Sequence, residues 1–403
     1  MTGRPVAAIV GMGDAYASRD NRRDPLQLAV EAAVNALADA GIRKDQVDAL
    51  FTGRSPWADK RSQWSSVFAS HMQMPLTFTS ELTLHGAGMT ATVAVASQMI
   101  AAGQAEYVLC LQSDATELFI DAVAMGAEAD SDPQFEVPYG PTIPALYAQA
   151  ARRYFHEFGL TEEDLAEVVI ANQRWAVHHP HAVKAKYGQI DKDRVLSSPY
   201  VATPLRRWMC STWGGGTGGA LVVTSPDNVR DGQEPIYLLG YGSATTHEYL
   251  TDRMNMRSYK FQGFGEVPNL THTAALEAAR QAYSMSGLTP SDIDMTQLSV
   301  NFAHMGPILF EDLGFAKKGT GIEIYREGRT GVDGDLPTDT NGGWLSFGQA
   351  GISCSMDTLV EAVRQLRGNP LGLAPARRPQ IVLVQGAGGM LAAGSVMLLS
   401  AAA

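Results

Sequence analysis

The sequence predicts an α/β fold written twice along one chain. Three observations carry that expectation. Short apolar runs alternate with helical patterns, as in layered α/β proteins. Residues 29–41 (AVEAAVNALADAG) and 275–287 (ALEAARQAYSMSG) share helical period, small residues on one face and a closing Gly. The following IRKDQVD (42–48) and LTPSDID (288–294) keep the same offset of 246 without a gap. Helices often resemble one another by chance. A helix, its cap and the next turn in one register rarely do.

Taken in order, each half opens with a buried-type strand, Ala7-Ala-Ile-Val-Gly in one and Ile236-Tyr-Leu-Leu-Gly in the other. The duplicated helix comes next, then a short strand: DALFTG from residue 48 and MTQLSVNF from residue 295. Two further helices, Gly88 to Ala102 and Ile352 to Leu366, are entered through the Gly-rich turns His85-Gly-Ala-Gly and Gly348-Gln-Ala-Gly. A strand follows each, Glu106-Tyr-Val-Leu-Cys-Leu and Gln380-Ile-Val-Leu-Val. If the halves pack about a pseudo-twofold axis, the two helix N-termini face one site. Between about 115 and 200 the pattern changes to helices from Pro144 and from Thr161, then an irregular polar stretch. That segment is too long for a plain loop and predicts an inserted helical loop domain, with the acidic run Glu128 to Glu136 as its exposed rim. The boundaries expected are 1–232 for the first half and 233–403 for the second.

Composition narrows the function. The chain has 403 residues and a formal charge of −11, with no run of Lys or Arg. It therefore lacks the basic footprint of a nucleic-acid binder, although a local basic pocket for one small anion remains open. The longest apolar run, Leu391 to Ala403, is too short to span a bilayer, and the N-terminus has no signal-peptide layout. A cytoplasmic protein is expected. Cys110, Cys210 and Cys354 are 100 and 144 residues apart, neither a disulfide framework nor a metal spacing.

Several motifs read more blandly than they look. Gly11-Met-Gly13 follows a strand, but the third glycine of a dinucleotide fingerprint is replaced by Tyr16. His178, His179 and His181 lack cysteine partners and read as exposed loop residues around Pro180, so no metal site is expected. His85 sits at a helix N-terminus, which stabilises negative charge, and Gln349 occupies the matching turn of the second half. Asn301 and His304 follow a strand, where ligands of α/β sheets commonly bind. Gly386, Gly388 and Gly389 would let backbone approach a ligand closely.

On these residues the chain resembles the thiolase superfamily along nearly its whole length. It is most similar to the sterol-carrier-protein type of thiolase and its lipid-transfer relatives. The matching stretches include Tyr139-Gly-Pro-Thr, Ala148 to Gly159, Ser198-Pro-Tyr-Val-Ala-Thr-Pro-Leu205, Glu311-Asp-Leu-Gly-Phe315, Asn341-Gly-Gly-Trp-Leu-Ser346 and Glu361 to Gly368. The resemblance implies a thiolase-like five-layered αβαβα core from two duplicated halves, usually dimeric, acting on acyl-CoA. Coenzyme A would then belong to the substrate, with no other cofactor.

The catalytic positions depart from that family. The turn that carries its nucleophilic Cys reads Leu84-His85-Gly-Ala-Gly88, and its Gly-His-Pro histidine falls on Gln349. No His is in register near Ser299–Asn301, and Ala387 stands where many members carry a second Cys. Thiolysis needs a thiolate to accept the acyl group, and these turns offer none. Thiolase-fold proteins stripped in this way resemble steroid side-chain aldolases, which cleave a β-hydroxyacyl-CoA by retro-aldol chemistry. Those work with a zinc-ribbon/OB-fold partner protein and are thought to use tyrosines as acid/base groups. The expected lyase site is Tyr241 as acid/base group, with His85, Asn301, His304 and Gln349 orienting the substrate or holding an enolate. Gly386, Gly388 and Gly389 would contribute backbone N–H. Two alternatives stay open: an acyltransferase using Cys354, and an acyl-CoA or lipid-binding subunit without turnover.

Overall fold

The computed structural model describes residues 4–18, 21–53, 59, 61–115, 130–250 and 270–403. The first half contains β1 (Ala7–Ala17), α1 (Pro25–Ala40), β2 (Ala49–Thr52), α2 (Trp64–Met72), β3 (Phe78–Glu81), α3 (Gly88–Ala101) and β4 (Tyr107–Ala115). An inserted region carries α4 (Ile143–Phe158), α5 (Glu162–Ala176), α6 (Lys192–Leu196) and the small hairpin β5 (Tyr200–Ala202) and β6 (Leu205–Arg206). β7 (Gly216–Thr224) returns to the sheet. The second half runs β8 (Ile236–Thr245), α7 (Ala275–Ser286), β9 (Met295–Gln297), α8 (Met305–Asp312), α9 (Ile322–Arg326), α10 (Gly343–Ser346), α11 (Cys354–Arg367), β10 (Ile381–Gly388) and β11 (Ala393–Ser400).

The sheet order is β3-β2-β4-β7-β1-β8-β11-β10-β9. Read outward from the β1–β8 junction, the two sides repeat each other: β7 and β11 run antiparallel to their neighbours, and β2 and β9 lie parallel to β4 and β10. Among the described residues, the strands of the two halves pair only at Ala7–Ile9 against Ile236–Leu238. Beyond that seam both sides of the sheet close over α3 and α11, and one apolar cluster holds Phe51, Val108 and Leu221 with Val384, Met397 and Leu399 around Met89, Val93, Met356 and Leu359. The outer faces are covered by α1 and α2 on one side and by α7, α8 and the inserted helices on the other. The result is the αβαβα layering expected of a thiolase-like chain.

The duplication extends to atomic packing. A Cβ on Gly11 would meet the Ala36 carbonyl at 2.3 Å, and one on Gly240 would meet the Ala282 carbonyl at 2.6 Å. Gly13 and Gly242 face Ala32 and Ala278 in the same way, at 2.1 and 2.0 Å. In each pair the two alanines are 246 residues apart. The Gly-x-Gly of β1 therefore lets α1 lie directly on the strand. Both duplicated helices end on a left-handed glycine, Gly41 at φ 64° and Gly287 at φ 74°.

Three local expectations need correction. The strand leading to Asn301 stops at Gln297, because the next two amides turn to side chains: Leu298 N donates to Asp339 Oδ1 at 2.7 Å and Ser299 N to Gln385 Oε1 at 3.1 Å. His179 is buried rather than exposed, its ring packed edge-on against Phe347 at 5.1 Å, while His181 stacks on Tyr16 at 3.9 Å. Of the acidic rim, residues 128 and 129 lie outside the described residues, and Glu136 turns inward with its carboxylate accepting from Asp132 N at 3.1 Å. Among the described residues, no helix is long and apolar enough to cross a membrane.

Candidate active site

Two Gly-rich turns meet at the N-terminal ends of α3 and α11. The tight turn His85–Ala87 precedes α3, and the end of β10 presses against it. A Cβ on Gly86 would meet the Ala387 carbonyl at 2.5 Å and the Trp344 ring at 2.5 Å; one on Gly388 would meet the Leu84 carbonyl at 2.2 Å. Gly386 likewise faces the Gly86 carbonyl at 2.7 Å. These glycines make room for the facing turn, so the Cα positions of Gly386 and Gly388 are closed by protein. Trp344 ties in the second helix by donating from Nε1 to the Cys354 carbonyl at 3.2 Å. The two helix starts thus lie against each other, as the pseudo-twofold expectation required.

His85 is half-exposed in this turn, at φ 47°, and its Nε2 lies 3.2 Å from Asp130 Oδ1. The hydrogen bond to Asp130 raises its pKa from the ordinary imidazole value, against partial burial. Across the turn, Tyr147 on α4 donates its hydroxyl to the Gly389 carbonyl at 3.2 Å. Burial pushes Tyr147 up to about 12; a hydrogen bond from Asn301 opposes this and the Asp130 charge adds to it. At neutral pH the group is a phenol. The Tyr147 ring packs at 4.5 Å on Phe302 and at 6.1 Å on His304.

His304 is wholly buried, and burial drives it down to about 3, so the ring is neutral. Among the described residues, neither of its ring nitrogens has a hydrogen-bond partner, nor does Asn301 Oδ1. Buried polar groups are normally paired, so these three unpaired atoms beside one tyrosine set this corner of the core apart as polar. Gln349 is half-buried on the loop after α10, its backbone N donating to the Thr212 carbonyl at 2.8 Å.

Four of the five predicted side chains thus border this region: His85, Asn301, His304 and Gln349. Tyr241 does not. Its hydroxyl accepts from Gln98 Nε2 at 2.8 Å, near the far end of α3 and on the order of 15 Å from the His85 turn at roughly 1.5 Å rise per residue. Sequence reasoning missed Asp130 and Tyr147. Tyr147 is one tyrosine in an ordinary amphipathic helix, and Asp130 sits in an acidic stretch that reads as solvated; neither carries a local signal.

A cleft of about 1050 Å³ opens beside this region between the inserted domain and the sheet. Lys184, Lys186, Arg194 and Arg207 line it, and no carboxylate does among the described residues. Two of its lining residues are tied to the backbone of the site: Ser211 N donates to the Asn301 carbonyl at 2.7 Å, and the Thr212 carbonyl accepts from Gln349 N at 2.8 Å. Lys184 is buried with Nζ unpaired, 4.8 Å from the Trp208 ring, and burial lowers it to about 7.

No thiol serves this site. Cys110, Cys210 and Cys354 are all buried, and burial raises each thiol, Cys210 to about 12. Cys354 opens α11 as a packing residue. Fold and site together define a thiolase-type scaffold in which every cysteine is buried.

Comparison with known proteins agrees. Residues 258–401 match the family described as thiolase C-terminal domain-like. The chain is 32% identical to the 17-hydroxy-3-oxo-4-pregnene-20-carboxyl-CoA lyase of Mycobacterium tuberculosis over 97% of this chain and 98% of that protein. It is 30% identical to an acetyl-CoA acetyltransferase of Methanothermobacter thermautotrophicus over 84% of this chain and 85% of that one. The solved structure of an Ltp2-ChsH2(DUF35) aldolase superposes with a TM-score of 0.82 at 30% identity, covering 99% of each chain. The chain belongs to the thiolase superfamily.

Proposed function

We propose that this protein is a lyase that cleaves, or in reverse forms, a carbon–carbon bond in a β-hydroxyacyl-CoA thioester by retro-aldol chemistry. The observation that carries the reading is the Leu84–Gly88 turn: the place of the acyl-accepting Cys in the superfamily is held by a turn without sulfur, and every Cys of the chain is buried. The relatives named lyase and aldolase support it.

Retro-aldol cleavage asks three things of a site. A base removes the β-hydroxyl proton, the Cα–Cβ bond breaks as the carbonyl product forms, and donors hold the thioester enolate until Cα is reprotonated. The Asn301 amide, the Gln349 amide and the N-terminus of α3 are the donors we assign to the enolate. Gly389 belongs to the same wall through Tyr147. Coenzyme A enters as part of the substrate, its phosphates against the cationic residues of the cleft and its thioester arm running over Ser211 and Thr212 toward Asn301. The acyl portion is a bulky side chain, as in the steroid substrates that the relatives' names give.

The 1–232 and 233–403 halves act as one unit in this reading. Two chains associate as a dimer, and a zinc-ribbon/OB-fold protein completes the active complex. The similarity to an aldolase that pairs two proteins, Ltp2 and ChsH2, supports such an assembly. The compartment is the cytoplasm.

The acetyltransferase likeness favours one rival, acyl transfer by an unusual nucleophile. A product screen separates the two. The chain, alone and with the partner protein, is given branched β-hydroxyacyl-CoA esters, and ketone or aldehyde release is followed. Carbonyl release without any protein-linked acyl adduct in the intact mass supports the lyase. A trapped acyl adduct during turnover sinks it.

A further inference from the structure

We infer that His85, backed by Asp130, is the base that takes the β-hydroxyl proton. The inference rests on the lyase reading and assigns the one role that reading leaves open. Asp130 occupies Nε2 at 3.2 Å, which leaves Nδ1 as the nitrogen that accepts. The ring stands half-exposed at the mouth of the site, on a turn whose backbone is pinned at Leu84 against Gly388 and at Gly86 against Ala387 and Trp344. Its φ of 47° is a left-handed conformation that non-glycine residues rarely adopt, and such strain gathers where function holds a side chain in place.

The other groups bordering the site do not fill the role. Asn301 and Gln349 do not titrate. His304 is wholly buried among Tyr147 and Phe302. The Tyr147 hydroxyl already donates to Gly389, and burial keeps it protonated. Among the described residues, Asp130 is the charged group acting on His85, and it raises its basicity.

The step balances without a co-reactant. His85 Nδ1 takes the hydroxyl proton, giving an imidazolium neutralised by Asp130. The O–H electron pair becomes the new C=O bond. The Cα–Cβ pair moves into the thioester as the enolate, and the ketone or aldehyde leaves. The enolate then recovers a proton at Cα, and transfer from the imidazolium restores neutral His85.

The test uses the full chain under the conditions in which wild type cleaves a β-hydroxyacyl-CoA. A positioned base contributes roughly 10²–10⁴-fold, so His85→Gln is expected to lower kcat by that factor with KM little changed. Asp130→Asn is expected to move the acidic limb of kcat/KM to lower pH, because His85 loses the partner that raises it. His85→Gly suits the left-handed backbone and leaves space for added imidazole, which is expected to restore turnover. Wild-type-like kcat in His85→Gln, an unmoved acidic limb in Asp130→Asn, or no imidazole rescue in a folded His85→Gly overturns the assignment. A wild type that cleaves no β-hydroxyacyl-CoA removes the lyase reading itself, whereas cleavage that survives without His85 removes only the base.

Discussion

Tyr147 donates its hydroxyl to the carbonyl of Gly389 at 3.2 Å, and through that bond a helix of the inserted domain holds the turn at the end of β10. The same tyrosine lies beside Asn301 and His304, from the segment between β9 and α8. One side chain thus joins three segments that are far apart in sequence. Tyr147→Phe keeps the ring but drops the donor. Stability is expected to fall by about 1 kcal/mol, the net worth of an ordinary hydrogen bond. Turnover is expected to fall by up to about 100-fold, as misplacement of a reacting group by an ångström does. Chemical denaturation and steady-state kinetics on the same preparation check both.

Removing a donor from the enolate should cost more than removing its support. Asn301→Ala is expected to lower kcat by about 10²–10³-fold, the usual loss for one oxyanion-stabilising donor. The same change removes the hydrogen bond from Asn301 to Tyr147, so stability is also expected to fall, by about 1 kcal/mol. A kcat within a few-fold of wild type would place the enolate elsewhere.

Tyr241→Phe is expected to leave turnover within roughly twofold of wild type, the range of substitutions away from packed or functional features. Its hydroxyl meets Gln98 near the far end of α3. Kinetics of the single variant decide this, and a loss of activity comparable to that of His85→Gln would show that the site extends along α3.

Thiol chemistry is expected to be irrelevant to activity. All three cysteines are buried with raised pKa values, so the reactive thiolate is scarce at neutral pH. Iodoacetamide should modify the native protein slowly, as followed by intact mass, and Cys354→Ala should retain turnover. Rapid inactivation blocked by Cys354→Ala would revive acyl transfer.

Under the proposed docking of CoA phosphates in the cleft, Lys184 is expected to make binding depend on pH. Its folded value of about 7 lies well below the ordinary lysine value of 10.5. Above pH 7 the free protein carries a neutral amine, and a phosphate docked against it restores the ammonium. Binding is therefore expected to take up a proton between about pH 7 and 9, and affinity to fall as pH rises through that window. The same shift acts on folding: above pH 7 the unfolded chain holds more protons at this site than the folded one, so ligand-free stability gains from it as pH rises toward 10.5. Lys184→Met should abolish the proton uptake and weaken binding by about 10–100-fold, in line with a charged hydrogen bond of roughly 1.5–3 kcal/mol. Calorimetry in buffers of different ionisation enthalpy reads the proton directly.

The layered fold was legible in the sequence because its causes are local and repeated. Alternating apolar runs, the paired glycine caps at Gly41 and Gly287, and the 246-residue offset all lie in stretches short enough to read along the chain. The missing sulfur was equally plain, since a residue type at one turn is a sequence fact. His85, Asn301, His304 and Gln349 could be picked out because strand ends and helix starts are where such sheets bind ligands. Tyr241 met the same rule and still lay elsewhere: Gly240 and Gly242 turn one face of β8 onto α7, and that leaves the tyrosine on the opposite face, against α3. Tertiary structure alone decided that Asp130 meets His85, that Tyr147 closes on Gly389, and that four cations surround one cleft in a chain of net charge −11. The first two join residues from segments that no periodicity links. Proximity across a folded core depends on how the layers close, and burial, which sets whether Lys184 or His304 carries charge, exists only once they have closed.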